Sequence, residues 1–573
     1  MDDAPWMKHY GNVPSTLKYP EGTLYDVLKD AATGQDDRCA YEFMGKRVPY
    51  SKLMADIDMA ASSLIALGVG KGDKVMICLP NTPHAVTMFY AINKLGAVAV
   101  MVHPLSSKNE IEFYLKDSGS RIAITMDRFC WAFDGFESVT PLERLIVVDI
   151  AKGLNPLLKL VYKIKTRNAP KVVMKDHMIP WEDAIELGFG NAEKADTSAK
   201  DLAVILYTGG TTGKSKGVLL SNLNFNATAL QTYRMGEYEI TEKDSMLGVL
   251  PIFHGFGLCI GMHMTLMHSA RLILVPVFSP NTYAKLIKKK KPTFIAGVPT
   301  LFELMIRNKS LNRTNLSFLR GIFVGGDTLT VELKRKVDIF LQERGCKSTI
   351  REGYGLTECV TASCLTPKFE YRTGSIGIPF SDTFYKIVAV GTTEEIPYGT
   401  DGEICVSGPS VMIGYNNEPS ETADVLKTHA DGKLWLHTGD AGMMDDEGFI
   451  YFRQRIKRMI ISSGYNIYPS QIENVLDSHP FIQSSCVIGV PDEVRIQSVK
   501  AFVVLNDDVE TSDATKHKIT KYCKEHVAKY AVPSEIEFIS ELPMTKVGKV
   551  AYTELEKMEM DKKGLSAKEE YSI

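Results

Sequence analysis

Apolar residues fall into two kinds of run along this chain: short unbroken stretches, and stretches spaced by three and four positions. These are the patterns of buried strands and one-sided helices. Thr23–Ala32 has its apolar residues at helical spacing, and Ala40–Tyr50 reads as a hairpin. Ser51 is then the expected N-cap of a helix running to about Leu67. Lys74–Leu79 and Ala97–Val102 read as strands on either side of a helix from His84 to Leu95. Leu202–Leu206 reads as a buried strand, Pro292–Thr300 as a strand and turn leading into a helix, and Gly321–Asp327 as a buried strand ending in glycines. Strands and helices alternating at this pace predict a doubly wound α/β fold. Near the end, strands at Cys486–Val490 and Ser498–Leu505 and a helix around Lys516–Val527 predict a smaller α+β unit.

Length and composition narrow the class. A chain of 573 residues exceeds one hydrophobic core, so two or more domains are expected. The 45% hydrophobic and 24% charged fractions are those of a soluble globular protein. A net charge of −3 gives no sign of a nucleic-acid partner. The 10 cysteines are scattered, without a Cys-x-x-Cys pair, and nothing near Cys359 and Cys364 completes a zinc site. Reduced thiols in the cytoplasm are the expectation. The acidic start, Met1–Trp6, does not read as a signal peptide. Gly248–His268 is the longest apolar stretch, but Pro251, His254, His263 and His268 interrupt it, so it reads as core rather than a membrane span. Residues 151–175 stand apart. Leu157, Leu160, Val161 and Ile164 lie at helical spacing with Lys159, Lys163 and Lys165 between them. Such a helix can rest on an anionic membrane through 154–167, at the inner membrane face, or pack on its own domain with its lysines solvated.

Candidate chemistry begins at Tyr207–Val218, which follows the Leu202–Leu206 strand. Its glycines let backbone N–H groups approach a ligand, its hydroxyls add donors, and Lys214 and Lys216 add charge, a set suited to a triphosphate. A Walker loop ending in Gly213-Lys214-Ser215 would need glycine at position 208, which is Thr208, so that motif fails. Further on come Leu250–Gly257 with His254 in a glycine-rich apolar run, Gly326-Asp327 at a strand end, and Glu352-Gly-Tyr-Gly-Leu-Thr-Glu358. After them come a Thr-Gly-Asp turn at Leu436–Asp440, the basic run Arg453–Arg458, Ile460–Glu473, and Leu542–Lys549.

These stretches, in this order, resemble the motifs of the adenylate-forming superfamily: acyl-CoA synthetases, luciferases and peptide synthetase adenylation domains. Glu352-Gly-Tyr-Gly355, the basic insertion and the Trp6-containing lead look most like long-chain fatty acyl-CoA synthetases. The resemblance implies a large multi-sheet α/β N-terminal, AMP-binding domain (1–455) and a small mobile α+β C-terminal lid domain (456–573). It implies a fatty acid or another carboxylic acid, ATP and CoA as substrates, and Mg²⁺ on Glu358. Thr208, Thr211, Thr212 and Lys216 would hold the β- and γ-phosphates. Gly326, Asp327, Glu352, Tyr354 and Gly355 would surround the nucleotide, with Tyr354 stacked on adenine and Thr357 bonded to the α-phosphate. Asp440 and Arg455 would take the ribose, His254 would line the carboxylate pocket, Gly464 would let the pantetheine arm pass, and Lys549 would be the adenylation lysine. Gln454 and Arg458 depart from the usual hinge pattern. Lys288–Lys291 reads as a solvated helix end without function. A medium-chain or aryl acid, or an acyl carrier protein as acceptor, stays open, as do a P-loop NTPase and a non-catalytic membrane scaffold as rival classes.

Overall fold

The computed structural model describes residues 4–153, 159, 173–208, 215–462, 465–492, 495–528, 531–545 and 549–562. Thr211, Thr212, Gly464 and, apart from Lys159, the basic stretch 154–167 lie outside them. Two large sheets carry most of the chain. In the eight-stranded sheet, Lys74–Cys78, Val98–Met101, Ile122–Met126, Arg144–Val148, Met178–Pro180 and Leu202–Thr208 run parallel, and Lys216–Ser221 and Gly414–Tyr415 complete it antiparallel. In the nine-stranded sheet, the parallel strands include Ser245–Gly248, Arg271–Leu274, Phe294–Gly297, Gly321–Val324 and Ile350–Tyr354. Strands buried on both faces read as unbroken apolar runs, and Lys74–Leu79 and Gly321–Val324 show that pattern.

Helices close these sheets, and the local sequence starts them. Thr23 opens Leu24–Ala32 with a reciprocal cap: its hydroxyl accepts from Asp26 N at 3.2 Å, and the Asp26 carboxylate accepts from Thr23 N at 2.8 Å. That helix buries Leu24 and Leu28 completely, each contributing about 1.5–3 kcal/mol. Ser221 caps Asn222–Gly236 in the same way. Ser51 does not cap. The helix is Tyr50–Ala66 with Pro49 before it, and the Ser51 hydroxyl donates to Asp36 O at 2.8 Å. Proline's fixed extended geometry ends the preceding strand at that point and starts the helix two residues early. Lys290 also departs from expectation, because it pairs with the buried carboxylate of Glu42 rather than pointing into water. The apolar stretch after Gly248 is core: Phe256–His263 forms a buried π-helical segment. No helix among the described residues is long and apolar enough to cross a membrane.

A five-stranded antiparallel sheet follows, containing Phe384–Val388, Gly402–Ser407, Leu426–Thr428, Leu434–Met444 and Ile450–Arg455. The expected turn at Leu436–Asp440 is part of an 11-residue strand. The local turn preference of Thr-Gly-Asp survives as a bulge inside that strand: Gly439 has φ +68° and the register shifts between Glu403 and Cys405, while Val406 facing Leu436 and Arg455 facing Asp440 keep the flanking residues paired. A smaller α+β unit comes last. Its sheet of Ile460–Ser462, Tyr465–Ile467, Ile482–Asp492, Ile496–Leu505 and Glu535–Phe538 packs Val487 and Val503 against Ile472, Leu476 and Ile519 in a core of its own.

Candidate active site

Parallel α/β sheets bind ligands at the carboxyl ends of their strands, and here the ends from both large sheets meet at one cleft. Its volume is 1810 Å³, above the roughly 300–1,000 Å³ of an ordinary ligand pocket. Thr208 enters from the end of Leu202–Thr208, Gly326 and Asp327 follow Gly321–Val324, and Glu352 and Tyr354 end Ile350–Tyr354. Thr357 and Glu358 sit on the short turn that follows. His254, Asp440, Arg455 and Lys549 line the same cleft. The expected site residues within the described part of the chain are therefore brought together, although 341 residues separate Thr208 from Lys549 (549 − 208).

One side of the cleft is built on a hydrogen-bonded relay. The Tyr354 hydroxyl donates to Asp440 Oδ2 at 2.5 Å, and Arg455 Nε lies 3.0 Å from Asp440 Oδ1. Arg455 also donates to Thr438 O at 3.0 Å. Burial raises the Asp440 pKa and the Arg455 charge opposes that rise. Phe452 packs beside Tyr354 with ring centroids 5.7 Å apart. Gly355 is required between Tyr354 and Thr357, because a Cβ there would lie 1.9 Å from Thr361 O.

Three residues that local motifs did not reveal surround Thr208, Lys216 and Glu358. Lys216 pairs with Glu421 and lies 5.0 Å above the ring of Tyr415. The Tyr415 hydroxyl donates to Glu358 Oε1 at 2.7 Å. Asp117 accepts from Tyr207 at 2.8 Å and so steadies the strand end that carries Thr208. Glu421 is 205 positions from Lys216, beyond the reach of any spacing rule. Ser215 donates to Thr208 O at 2.5 Å and closes the described ends of the glycine-rich loop.

In the same cleft, burial and then the charge of Lys549 lower the His254 pKa to about 4, so its imidazole is neutral at pH 7. His254 Nδ1 accepts from Phe256 N at 3.3 Å. Lys549 is held by a tight loop in which Thr545 N donates to Lys549 O at 2.7 Å and Lys549 N donates to Thr545 Oγ1 at 3.0 Å. Burial lowers the Lys549 pKa, while the negative charge of Asp327 favours its ammonium form. The Lys549 amine thus shares the cleft with a neutral histidine and feels the carboxylates of Asp327 and Asp440.

The AMP-binding enzyme model matches residues 28–416, and the AMP-binding enzyme C-terminal domain model matches 471–549. The chain belongs to the AMP-binding enzyme family. Among curated relatives of this AMP-binding enzyme, a long-chain-fatty-acid–CoA ligase of Bacillus subtilis (strain 168) is 34% identical over 562 residues, covering 95% of this chain and 96% of the relative. One of the same description from Salmonella typhimurium is 33% identical, covering 96% and 97%. A solved structure, the ATP-bound RpMatB-BxBclM chimera B1, matches with a TM-score of 0.81 at 25% identity, covering 94% of this chain and 99% of that one.

One residue of the AMP-binding enzyme's cleft makes stability depend on pH. Glu352 is buried, and burial raises its pKa from 4.5 to about 8. Between those values the folded chain keeps a proton that the unfolded chain has lost, so stability falls as pH rises from about 4.5 to about 8. Glu352→Gln removes that slope. Urea unfolding should show the variant gaining on the wild type by on the order of 1 kcal/mol or more between pH 5 and pH 8. A constant difference across that range would mean that Glu352 is ionised in the fold.

Proposed function

We propose that this AMP-binding enzyme is an ATP-dependent fatty acid–CoA ligase with long-chain preference. The observation that carries the reading is the cleft that Lys549 shares with His254, Glu358, Tyr354 and Asp440, with the Lys549 charge acting on His254. A carboxylate is a poor electrophile, because attack on it would have to expel oxide. Its oxygen instead attacks the α-phosphorus of ATP, the bond to the pyrophosphate oxygen breaks, and acyl-adenylate forms. The CoA thiol, losing its proton, then attacks the acyl carbonyl and AMP leaves.

The residues divide this work. Thr208 and Lys216, with Thr211 and Thr212 by resemblance, hold the β- and γ-phosphates. Gly326, Asp327 and Glu352 border the nucleotide, Thr357 bonds the α-phosphate, and Asp440 and Arg455 accept and position the ribose. The neutral His254 borders the carboxylate without adding charge that would hold it back. Lys549 offsets the charge that develops on the transferring phosphate. Glu358 would hold Mg²⁺: it is a hard oxygen donor, and its Oε2 has no hydrogen-bond partner among the described residues. Bound there, the cation would offset phosphate charge. Apolar Phe253, Phe256 and Ile260 offer a wall for the acyl tail. Thr232 and Phe323 line the cleft and also a 20 Å³ apolar cavity beyond it, which gives a long tail a direction in which to extend.

The second half-reaction needs Lys549 withdrawn and the loop at Gly464 brought in, by rotation of the lid domain 456–573 against 1–455. The pivot lies between Arg455 and Arg458. Arg455 is tied to Asp440 and Thr438 of the large domain. Arg458 is tied to Glu473 and to Val487 O of the small one, the latter at 3.2 Å, and stacks on Tyr552. Arg458 therefore travels with the lid, and the departure from the family pattern at that position becomes a lid anchor.

The test is AMP and pyrophosphate release across fatty acids of increasing length, with and without CoA. CoA-dependent turnover that peaks at long acids is the expected result. Adenylate without CoA-dependent turnover would reassign the acceptor to a carrier protein. Turnover confined to medium-chain or aryl acids would overturn the long-chain reading.

A further inference from the structure

At the edge of the cleft, whose lining includes Glu403 and His437, three side chains with metal-ligating atoms converge inside the five-stranded sheet. Cys405 lies on Gly402–Ser407, directly opposite His437 on Leu434–Met444. His429 stands on the hairpin turn after Leu426–Thr428, and its Nε2 is 2.9 Å from His437 Nε2. The ligand atoms of all three lie within 4.8 Å of one another, and none of the residues is more than 5% exposed. Two further observations point to a ligand. Glu403 Oε2 lies 2.9 Å from His437 Nδ1, a carboxylate behind an imidazole as metal-binding histidines have. His429 Nδ1 is buried without a partner.

We propose that Cys405, His429 and His437 form a binding site for a zinc-class divalent cation, with Glu403 fixing the orientation of His437. Thiolate and imidazole are the donors such ions select, and three protein ligands leave a fourth tetrahedral position for water. The proton accounting fits. With its Nδ1 proton directed to Glu403, His437 can only accept at Nε2, so His429 must donate its Nε2 proton. Metal binding moves that proton to the unpartnered Nδ1 of His429, and one proton is released, from the Cys405 thiol. The two Nε2 atoms must part only to about 3.3–3.4 Å, the separation set by Zn–N bonds of about 2.0–2.1 Å in a tetrahedron. The hairpin turn carrying His429 can supply that movement. The site also touches the nucleotide machinery, because Glu403 Oε1 accepts from Gly439 N at 3.0 Å, next to Asp440. A bound cation would staple the hairpin to the strand that presents Asp440. A second cluster, His9, Glu370 and Glu447, is already committed to ion pairs with Lys8 and Arg372.

The full chain is titrated with Co²⁺ in excess Mg²⁺, and then with Zn²⁺. The expected result is one equivalent of a thiolate-to-cobalt charge-transfer band, displaced by Zn²⁺, with one proton released per metal. Cys405→Ser should abolish the band. His429→Gln, at the hairpin turn, should weaken Co²⁺ binding at least about tenfold. Zn²⁺ should raise the Tm of the wild type and not that of Cys405→Ser, with circular dichroism checking that both variants are folded. Absence of the band in the wild type, or a band that survives both substitutions, would overturn the site.

Discussion

Lys549→Ala is expected to slow acyl-adenylate formation from acid and ATP by at least about a hundredfold, the scale of removing one preorganised charge stabiliser. Thioester formation from supplied acyl-adenylate and CoA should be largely spared. The asymmetry follows from position. Lys549 lies in the cleft with its charge felt by His254, so it faces the first reaction. The proposed lid rotation then carries it away before the second. Pyrophosphate release measures the first half-reaction, and acyl-CoA formed from synthetic acyl-adenylate measures the second. Equal loss in both would remove Lys549 from the adenylation step and leave it a general structural contact. Binding of ATP should fall less than turnover, because an interaction made mainly in the transition state acts on kcat.

Gly255→Ala should be nearly as damaging, for a steric reason. A Cβ at position 255 would lie 1.9 Å from Val360 O and 3.0 Å from Val360 C, and backbone cannot give way as the end of a side chain can. The strain would push apart the segment carrying His254 and the segment carrying Thr357 and Glu358. A displacement of about 1 Å at reacting groups can cost about a hundredfold in rate, so kcat/KM for adenylate formation should fall by that order. Gly261→Ala is the matched control. It lies in the π-helical stretch that Gly255 immediately precedes, but the nearest atom to its Cβ is Phe256 O at 3.8 Å, an ordinary contact. Its activity should stay close to wild type. Similar losses in the two variants would show that the segment tolerates no added bulk anywhere, and would remove the specific contact between Gly255 and Val360 as the cause.

Much of this protein is legible from its sequence, because the signals are carried by neighbours along the chain. Apolar spacing alone predicts the strands Lys74–Cys78 and Gly321–Val324 and the helix Leu24–Ala32. The order of the motifs from Tyr207 to Lys549 is enough to suggest the family, but that Gly255 and Gly355 lie against the backbone of Val360 and Thr361 is visible only in the fold. Tertiary structure decided the rest, because the deciding partners are remote in sequence. Asp440 sits in a strand, beside the bulge at Gly439, because the flanking strands pair with the residues around it and Arg455 pairs with Asp440 itself. Lys216 meets Glu421 and Tyr415, and Cys405 meets His429 and His437, only once antiparallel strands are laid side by side. The protonation of Glu352 and His254 depends on burial, which exists only after packing has excluded water from their surroundings.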